Sequence, residues 1–314
     1  MKNIETLFIE LTTLCNLRCI HCGYKDSSPE TITFKAAKKA INSCLPYGLN
    51  TVVLTGGEPT FHPDLLKILQ YCKEYNLKTK ITTNGNKLAG FLPHLKNHLV
   101  DQIVISLDAS TDETYKKIRG RDKFSEICRN IKQLSEFNDK IACSFLIQKN
   151  NYKELLPFLE MCAKNKITSV SLLVPHFDSD FTCGLQGKEY SDIVFLSHKD
   201  AEWFKDNITE KLILFYQQHK EMFKFSQNHL DAIIRYITAE KDIPEVRNTV
   251  CSLPIRTVFL YSDQSVRLCP YHSDWSYPNM DLLIGDLTKA RMRTIFEGSK
   301  KGGICKKCLE VPLE

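Results

Sequence analysis

Three cysteines near the N-terminus, Cys15, Cys19 and Cys22, have the residue type and spacing to bind a metal cluster. The segment reads Cys-Asn-Leu-Arg-Cys-Ile-His-Cys, so one short loop can bring three sulfurs together. Three thiolates can hold three irons of a four-iron cluster and leave the fourth iron open to another ligand. Zinc would normally take a fourth protein ligand nearby, and His21, inside the segment, is the one neighbour available. Disulfides are disfavoured because the set is odd, so the spacing favours an iron–sulfur site.

A second motif follows about thirty residues later, where a short apolar run enters the turn Gly56-Gly57-Glu58-Pro59. Alone, this segment would be an ordinary turn at the end of a strand. Combined with the Cys-x3-Cys-x2-Cys segment at this distance, it resembles the radical S-adenosylmethionine (SAM) superfamily. The resemblance implies a [4Fe–4S] cluster on Cys15, Cys19 and Cys22, whose open iron chelates the methionine part of SAM. It also implies reductive cleavage of SAM to a 5′-deoxyadenosyl radical, which abstracts hydrogen from a C–H bond.

The same resemblance assigns further cofactor contacts. His21 takes the position that packs near adenine, and Gly56, Gly57 and Glu58 meet the methionine amino group. Three residues at or after later strand ends tend to contact the SAM ribose or carboxylate in this family, and here they are Asn84, Ser106 and Arg119. The alternatives are a strand-terminal turn at Asn84-Gly85 and a surface ion pair at Arg119.

Composition fits a globular protein of 314 residues, with 43% hydrophobic and 25% charged residues. No run of eighteen apolar residues predicts a membrane span, and the N-terminus lacks the apolar segment of a signal peptide. Thirteen cysteines without a secretion signal indicate a cytoplasmic protein with metal chemistry. The net charge of +5 is mild: it could favour an acidic redox partner or an acidic substrate, but such a charge is more often just a solvated surface. No basic–aromatic cluster indicates nucleic acid.

The first part of the chain alternates predicted strands and helices. Strands are predicted at 4–12, 51–55, 78–83, 101–108, 140–147 and 168–174. Six strand–helix units in series predict a parallel sheet with right-handed crossovers. Six are too few to close an eight-unit barrel, so we expect an α/β fold with an open, partial (β/α)6 barrel. Its functional residues should lie at the carboxyl ends of the strands, where both motifs are found.

Strand alternation predicts which side chains face the helices. In 168–174, Val170, Leu172 and Val174 should point outward and the intervening serines into the barrel. In 140–147, Cys143 and Phe145 should likewise point outward.

Four further cysteines follow residue 250, namely Cys251, Cys269, Cys305 and Cys308. A predicted hairpin between the first two, followed by a Cys-Lys-Lys-Cys knuckle, could hold four sulfurs around zinc or a fully ligated [4Fe–4S] cluster. The spacing of the four cysteines does not decide between zinc and the cluster. The arrangement resembles the shortened "twitch" form of the SPASM auxiliary-cluster domain, nearest to the aminocyclitol dehydrogenase type of the butirosin pathway, which implies the cluster. One departure is the turn Ser262-Asp263-Gln264, since such domains usually place glycine before the second cysteine.

The predicted domains are a radical SAM core at 1–190, a helical connector at 191–245 and an auxiliary-cluster domain at 246–314. The connector holds two helical stretches, at about 199–221 and 226–239.

The substrate class stays open from the sequence. A barrel that begins at residue 4 leaves no room for a peptide-docking domain before it, which favours a small polar metabolite such as a sugar or cyclitol. With the second cluster as electron acceptor, the reaction would be a net two-electron oxidation. Modification of a ribosomally made peptide and a non-catalytic redox sensor are the alternatives. Cys183 could donate a hydrogen atom, and substrate contacts are expected from His176, Asp178, Asp180, Tyr271, His272 and Trp275. A flavodoxin or ferredoxin-type protein is the expected reductant.

Overall fold

The computed structural model describes residues 4–91, 93–94, 97–134, 140–175, 193–238, 256–269, 276–278, 280–281 and 283. Within these residues, no helix is long and apolar enough to cross a membrane.

The described strands form one nine-stranded sheet in the order β6-β5-β4-β3-β2-β1-β7-β8-β9. Strands β1 to β6 are all parallel to their neighbours, and the sheet does not close on itself. This confirms the predicted open partial barrel. The strands are β1 (Thr6–Glu10), β2 (Thr51–Thr55), β3 (Lys78–Thr83), β4 (Gln102–Ser106), β5 (Ile141–Leu146), β6 (Ser169–Leu173), β7 (Thr257–Leu260), β8 (Val266–Arg267) and β9 (Ser276–Tyr277).

Several helices begin at side chains that cap their free N–H groups. Thr33 accepts from Ala36 N at 3.2 Å, and Ser197 forms a reciprocal capping box with Asp200. The described α-helices are α1 (Phe34–Cys44), α2 (Leu65–Glu74), α3 (Asp112–Arg119), α4 (Phe124–Gln133), α5 (Leu155–Lys164), α6 (His198–Asn207), α7 (Thr209–Gln218) and α8 (Gln227–Thr238). Helix α3 lies outside the helical patterns of this part of the sequence, such as 34–46, 63–75, 123–137 and 152–165, because its eight residues are mostly charged and polar.

The outward faces of the strands pack against the helices, as the alternation predicts. Phe145 of β5 is fully buried, and its ring centroid lies 4.6 Å from that of Phe158 in α5. Cys143 and Val170, on the same side of their strands, are also buried. The opposite face carries polar side chains, and Ser144 contacts Ser106 across the β4–β5 pair at 3.3 Å.

Strand β7 extends the sheet beyond β1. It is parallel to β1, with Thr6 opposite Thr257, and the rings of Phe8 and Phe259 stack at 4.7 Å. Strand β8 then returns antiparallel to β7, which gives the hairpin expected between residues 258 and 269. Residues predicted to open a separate domain therefore contribute a strand to the barrel sheet, and the domain boundaries themselves stay a prediction.

Glu154 ties the start of α5 to the start of α3 and gives the fold a pH-dependent contact. Its carboxylate accepts hydrogen bonds from Ser110 N at 2.6 Å, from Thr111 Oγ1 at 2.8 Å and from Thr114. Burial alone would raise the pKa of Glu154, but these hydrogen bonds outweigh it and lower the pKa. The contact therefore stabilises the fold above the carboxyl group's ordinary pKa, and this stabilisation is lost as the pH falls through the lowered value.

We expect Glu154→Gln to lower the free energy of unfolding at pH 7 by about 1 kcal/mol, because the amide NH2 then faces hydrogen-bond donors. Urea unfolding of parent and variant between pH 7 and pH 3 measures this difference, which should shrink toward the acid end. Glu160→Gln, at an exposed position on α5, is the control. A parent–variant difference that does not change with pH would contradict the assignment.

Candidate active site

A cavity of about 200 Å³ lies at the carboxyl ends of β1 to β4. Its wall includes the three N-terminal cysteines and most of the predicted cofactor contacts, namely Cys15, Cys19, Cys22, His21, Gly56, Gly57, Asn84, Ser106 and Arg119. The cavity is also lined by Tyr24, Lys25 and Thr55, which no motif in the sequence marks. The fold therefore brings to one place residues that are more than a hundred positions apart in the chain.

The loop that carries the cysteines is fixed to the C-terminus of α3. Arg18 N donates to Arg119 O at 3.2 Å, and Ile20 N donates to Ile118 O at 2.9 Å. Helix α3 ends at Gly120, which has a left-handed φ of 73°, and a Cβ there would lie 2.8 Å from Arg18 O. The short polar helix α3, which the sequence pattern does not predict, thus supports the cysteine loop.

The turn after β2 holds the same loop from the other side. Gly57 N donates to Thr12 O at 2.7 Å, and Glu58 N donates to Leu14 O at 2.8 Å. A Cβ on Gly56 would lie 2.4 Å from Thr12 O, and one on Gly57 would lie 2.4 Å from Leu14 O. Since real Cβ atoms do not approach backbone oxygen so closely, both positions require glycine. The Gly-Gly pair allows the two loops to touch.

The cysteine sulfurs accept hydrogen bonds of the kind that tune iron-bound thiolates. Leu17 N and Asn84 Nδ2 donate to Cys15 Sγ at 3.4 and 3.8 Å. Arg119 NH1 donates to Cys19 Sγ at 3.7 Å. Burial is the largest influence on both thiols: it raises the pKa of Cys15 to about 11 and also raises the pKa of Cys19. Arg119 partly offsets the effect of burial at Cys19.

These sulfurs fit a cationic metal group. Because burial opposes ionisation of the thiols, a bound cation is needed to hold them as thiolates. No three His, Cys, Asp or Glu side chains in the described ranges converge on the position of a single ion. A cluster does not require such convergence, since each sulfur binds its own iron.

Glu58 has a different environment from the other predicted contacts. Its side chain is 1% exposed and is not part of the cavity wall. One carboxylate oxygen accepts from Thr83 Oγ1 at 2.7 Å, and the other accepts from Asn84 N at 2.8 Å. Glu58 therefore fixes the end of β3, and its contact with the SAM amino group stays a prediction.

Asn84 and Ser106 lie at the ends of β3 and β4, as the sequence predicts, and face the cavity. Asn84 donates to Asn16 Oδ1 at 2.7 Å and accepts from Asn86 N at 3.0 Å, so its amide is fixed against the cysteine loop. Ser106 Oγ accepts from Ser144, which leaves its own proton for another acceptor.

Arg119 and His21 share one carboxylate. Arg119 NH2 lies 2.6 Å from Asp108 Oδ2, and His21 Nε2 lies 3.7 Å from the same oxygen. Burial lowers the pKa of His21 to about 4, against the opposing effect of Asp108, so the ring is neutral at pH 7. Arg119 is thus a buried ion-pair partner, not the surface ion pair considered from the sequence. Strand alternation at Ser106 and Asp108 was the signal for an inward carboxylate here.

A buried carboxylate at the end of β1, Glu10, connects the segment that follows the cysteines to the residues just after β7. Glu10 is 7% exposed and accepts a hydrogen bond from Tyr24. Its other oxygen accepts from Ser262 Oγ at 2.7 Å and Ser262 N at 3.2 Å. No motif in the sequence marks Glu10, although strand alternation places it on the face opposite the buried core residues Leu7 and Ile9.

Several predicted residues lie outside the described residues, and their roles stay predictions. They are Cys183, Cys251, Cys305 and Cys308, together with the expected substrate contacts His176, Asp178, Asp180, Tyr271, His272 and Trp275. Of the second cysteine set, Cys269 is described, and it is buried just after β8.

Sequence comparison gives one family and a group of full-length relatives. The radical SAM superfamily profile matches residues 9–162. A probable GTP 3′,8-cyclase of Saccharolobus islandicus is 28% identical over 300 residues, which cover 92% of this chain and 90% of the relative. A protein of the same name from Sulfurisphaera tokodaii is 24% identical over 294 residues, covering 91% and 88%. The predicted nearness to the aminocyclitol dehydrogenase type is therefore corrected: it depended on the spacing of the C-terminal cysteines, whereas the whole-chain relatives carry another name.

Solved structures share the fold. SuiB from Streptococcus suis bound to S-adenosylmethionine has a TM-score of 0.65 and 19% identity, with coverage of 98% of this chain and 72% of that chain. Native anSMEcpe with bound AdoMet has a TM-score of 0.71 and 17% identity, with coverage of 96% and 86%. In another SuiB structure, the chain spans 60% of that protein's length. At these identities the likeness shows the fold alone.

Proposed function

We propose that the chain is a radical SAM enzyme in which Cys15, Cys19 and Cys22 hold a [4Fe–4S] cluster that binds SAM, and that its substrate is a small polar metabolite. The radical SAM superfamily profile that matches residues 9–162 supports this proposal. Bound together, the cluster and SAM would supply reductive SAM cleavage and hydrogen-atom abstraction from an unactivated C–H bond. The observation that carries the proposal is the cavity whose wall combines the three cysteines with the Gly56-Gly57 turn.

The residues of this chain would bind and orient these groups. Gly57 N and Glu58 N are used within the protein, so the turn can offer an ammonium group its carbonyl oxygens. Neutral His21 presents an uncharged ring to a base, and Ser106 can donate its proton to a ribose or carboxylate oxygen. Asn84 and Arg119 fix the cysteine loop through their contacts with Cys15 and Cys19.

Two observations favour a metabolite. The curated relatives are named for GTP, a small polar molecule, and align over nine-tenths of this chain. The inward face of β4 and β5 carries Ser106 and Ser144, whose hydroxyls suit a hydroxylated substrate better than an apolar one. A purine nucleoside triphosphate is therefore the first substrate to test, followed by sugars and cyclitols.

The second cysteine set supports a finer proposal. Cys251, Cys269, Cys305 and Cys308 would hold an auxiliary [4Fe–4S] cluster that accepts an electron from the substrate, which makes the overall reaction a two-electron oxidation. Iron analysis separates this from zinc, since two clusters give about eight irons per chain, whereas one cluster with structural zinc gives about four.

Anaerobic reconstitution tests the proposed function. With SAM and a flavodoxin, a ferredoxin or a chemical reductant, the protein should form 5′-deoxyadenosine, and a true substrate should raise the rate. Deuterium on the reacting carbon should appear in the 5′-deoxyadenosine. Stimulation only by a peptide would assign the peptide-modifying alternative. Complete absence of 5′-deoxyadenosine from a cluster-loaded protein, with every candidate, would favour a redox sensor and overturn the proposal.

A further inference from the structure

A buried ion pair lies directly beneath the cysteine loop. Asp108 and Arg119 side chains are 4% and 9% exposed, and their charged atoms lie 2.6 Å apart. The other guanidinium terminus, NH1, donates to Cys19 Sγ at 3.7 Å. The guanidinium therefore connects a carboxylate to a sulfur that is proposed to bind iron. Water is largely excluded, so both charges act on Cys19 with little screening.

Asp108 is held in place by the surrounding backbone. Its second oxygen, Oδ1, accepts from Leu146 N at 2.7 Å, and its main-chain carbonyl accepts from Asn151 Nδ2 at 3.0 Å. Its φ of 56° lies in the left-handed region, which a non-glycine residue adopts at some cost. The carboxylate cannot easily turn away from Arg119, because Leu146 N holds its second oxygen and Asn151 holds its main chain.

Arg119 forms contacts through its main-chain carbonyl and through both terminal guanidinium nitrogens, but its Nε has none among the described residues. Its main-chain carbonyl accepts from Arg18 N, and its side-chain Nε is buried without a hydrogen-bond partner among the described residues. An ion pair that only stabilised the fold would gain from pairing Nε as well. Here the guanidinium instead directs one terminus to the carboxylate and the other to the sulfur.

We propose that Asp108 and Arg119 are positioning residues that set the electrostatic potential at Cys19, and with it the reduction potential of the cluster. The proposal rests on the proposed function, because it requires that cluster. Hydrogen bonds to sulfur and nearby net charge are two of the factors by which a protein tunes an iron–sulfur centre. The positive charge of Arg119 stabilises the reduced, more negative cluster, and Asp108 offsets that effect.

Two substitutions of opposite sign test the pair. Asp108→Asn leaves the guanidinium uncompensated, so the midpoint potential of the cluster should rise. Arg119→Gln removes the positive charge and leaves the carboxylate uncompensated, so the potential should fall. The double variant should return toward the parent value, because removal of one negative and one positive charge leaves the net charge near Cys19 unchanged. The midpoint potential is followed by spectroscopic titration of the reconstituted protein, using the signal that changes on addition of SAM.

Asp101→Asn is the matched control. Asp101 precedes β4 as Asp108 follows it, and it is paired with Lys73 at 2.5 Å. About 17 Å of extended strand separates the two ends of β4. Asp101→Asn therefore breaks an ion pair at the end of β4 that lies far from the sulfurs. We expect a loss of stability without a shift in potential. Asp108→Glu, which keeps the charge, should shift the potential less than Asp108→Asn.

The outcomes separate this proposal from the proposed function. A parent protein that binds no cluster or does not cleave SAM overturns the function. A different result would overturn only the positioning role. In that case the parent binds a cluster and cleaves SAM, but the midpoint potentials of Asp108→Asn and Arg119→Gln equal those of the parent and of Asp101→Asn. The ion pair would then be purely structural. Where Asp108→Asn does not accumulate as folded protein, Arg119→Gln decides alone, and an unchanged or raised potential contradicts the proposal.

Discussion

Gly57→Ala is expected to lower SAM cleavage by at least about tenfold, although residue 57 carries no chemical group of its own. The added Cβ would lie 2.4 Å from Leu14 O and 2.5 Å from Thr13 O, so the turn after β2 must move away from the cysteine loop. Forced overpacking of this kind costs about 1–3 kcal/mol. The movement also weakens the hydrogen bonds that Gly57 N and Glu58 N donate to that loop.

The rate of 5′-deoxyadenosine formation and the iron content after reconstitution measure this effect. Gly90→Ala is the matched control, because a Cβ at Gly90 would meet nothing within 4 Å. It should behave like the parent in both measurements. Equal activity of the Gly57→Ala and Gly90→Ala proteins would show that the close approach of the two loops does not matter for the chemistry.

Replacement of Cys15, Cys19 and Cys22 together by alanine is expected to abolish 5′-deoxyadenosine formation and to remove about four irons per chain. The barrel should remain folded, because these side chains line a cavity and are not part of the sheet–helix core. Circular dichroism and the unfolding midpoint check this point. The iron that remains reports on the second cysteine set separately.

The control for the triple variant is Cys128→Ala on α4. Cys128 is partly buried and contacts Met161 at 3.8 Å, away from the cavity wall. It should keep the parent iron content and rate. Undiminished SAM cleavage by the triple-alanine protein would refute the cluster assignment outright.

Local pattern predicted much of the fold and of the site. Strand alternation placed Phe145 against the helices, and the spacing of Cys15, Cys19 and Cys22 placed three sulfurs on one loop. Both signals are short-range, since a strand alternates every second residue and a loop of eight residues has limited reach.

Contacts between distant segments could not be predicted from the sequence. The Asp108–Arg119 pair depends on how the end of β4 meets the end of α3, and no local pattern encodes that distance. The hydrogen bonds of the Glu58 carboxylate to Thr83 and Asn84 at the end of β3 were likewise not predicted, and its contact with SAM stays a prediction. The pairing of β7 with β1 was missed for the same reason, since it joins residues near opposite ends of the chain.

That pairing has a consequence for biosynthesis. Because Thr6 meets Thr257, β1 cannot acquire its second neighbour until most of the chain has left the ribosome. Such long-range closure is slow, and until it occurs β1 presents an unsatisfied edge to other chains. We expect the nascent protein to need chaperone protection during this interval.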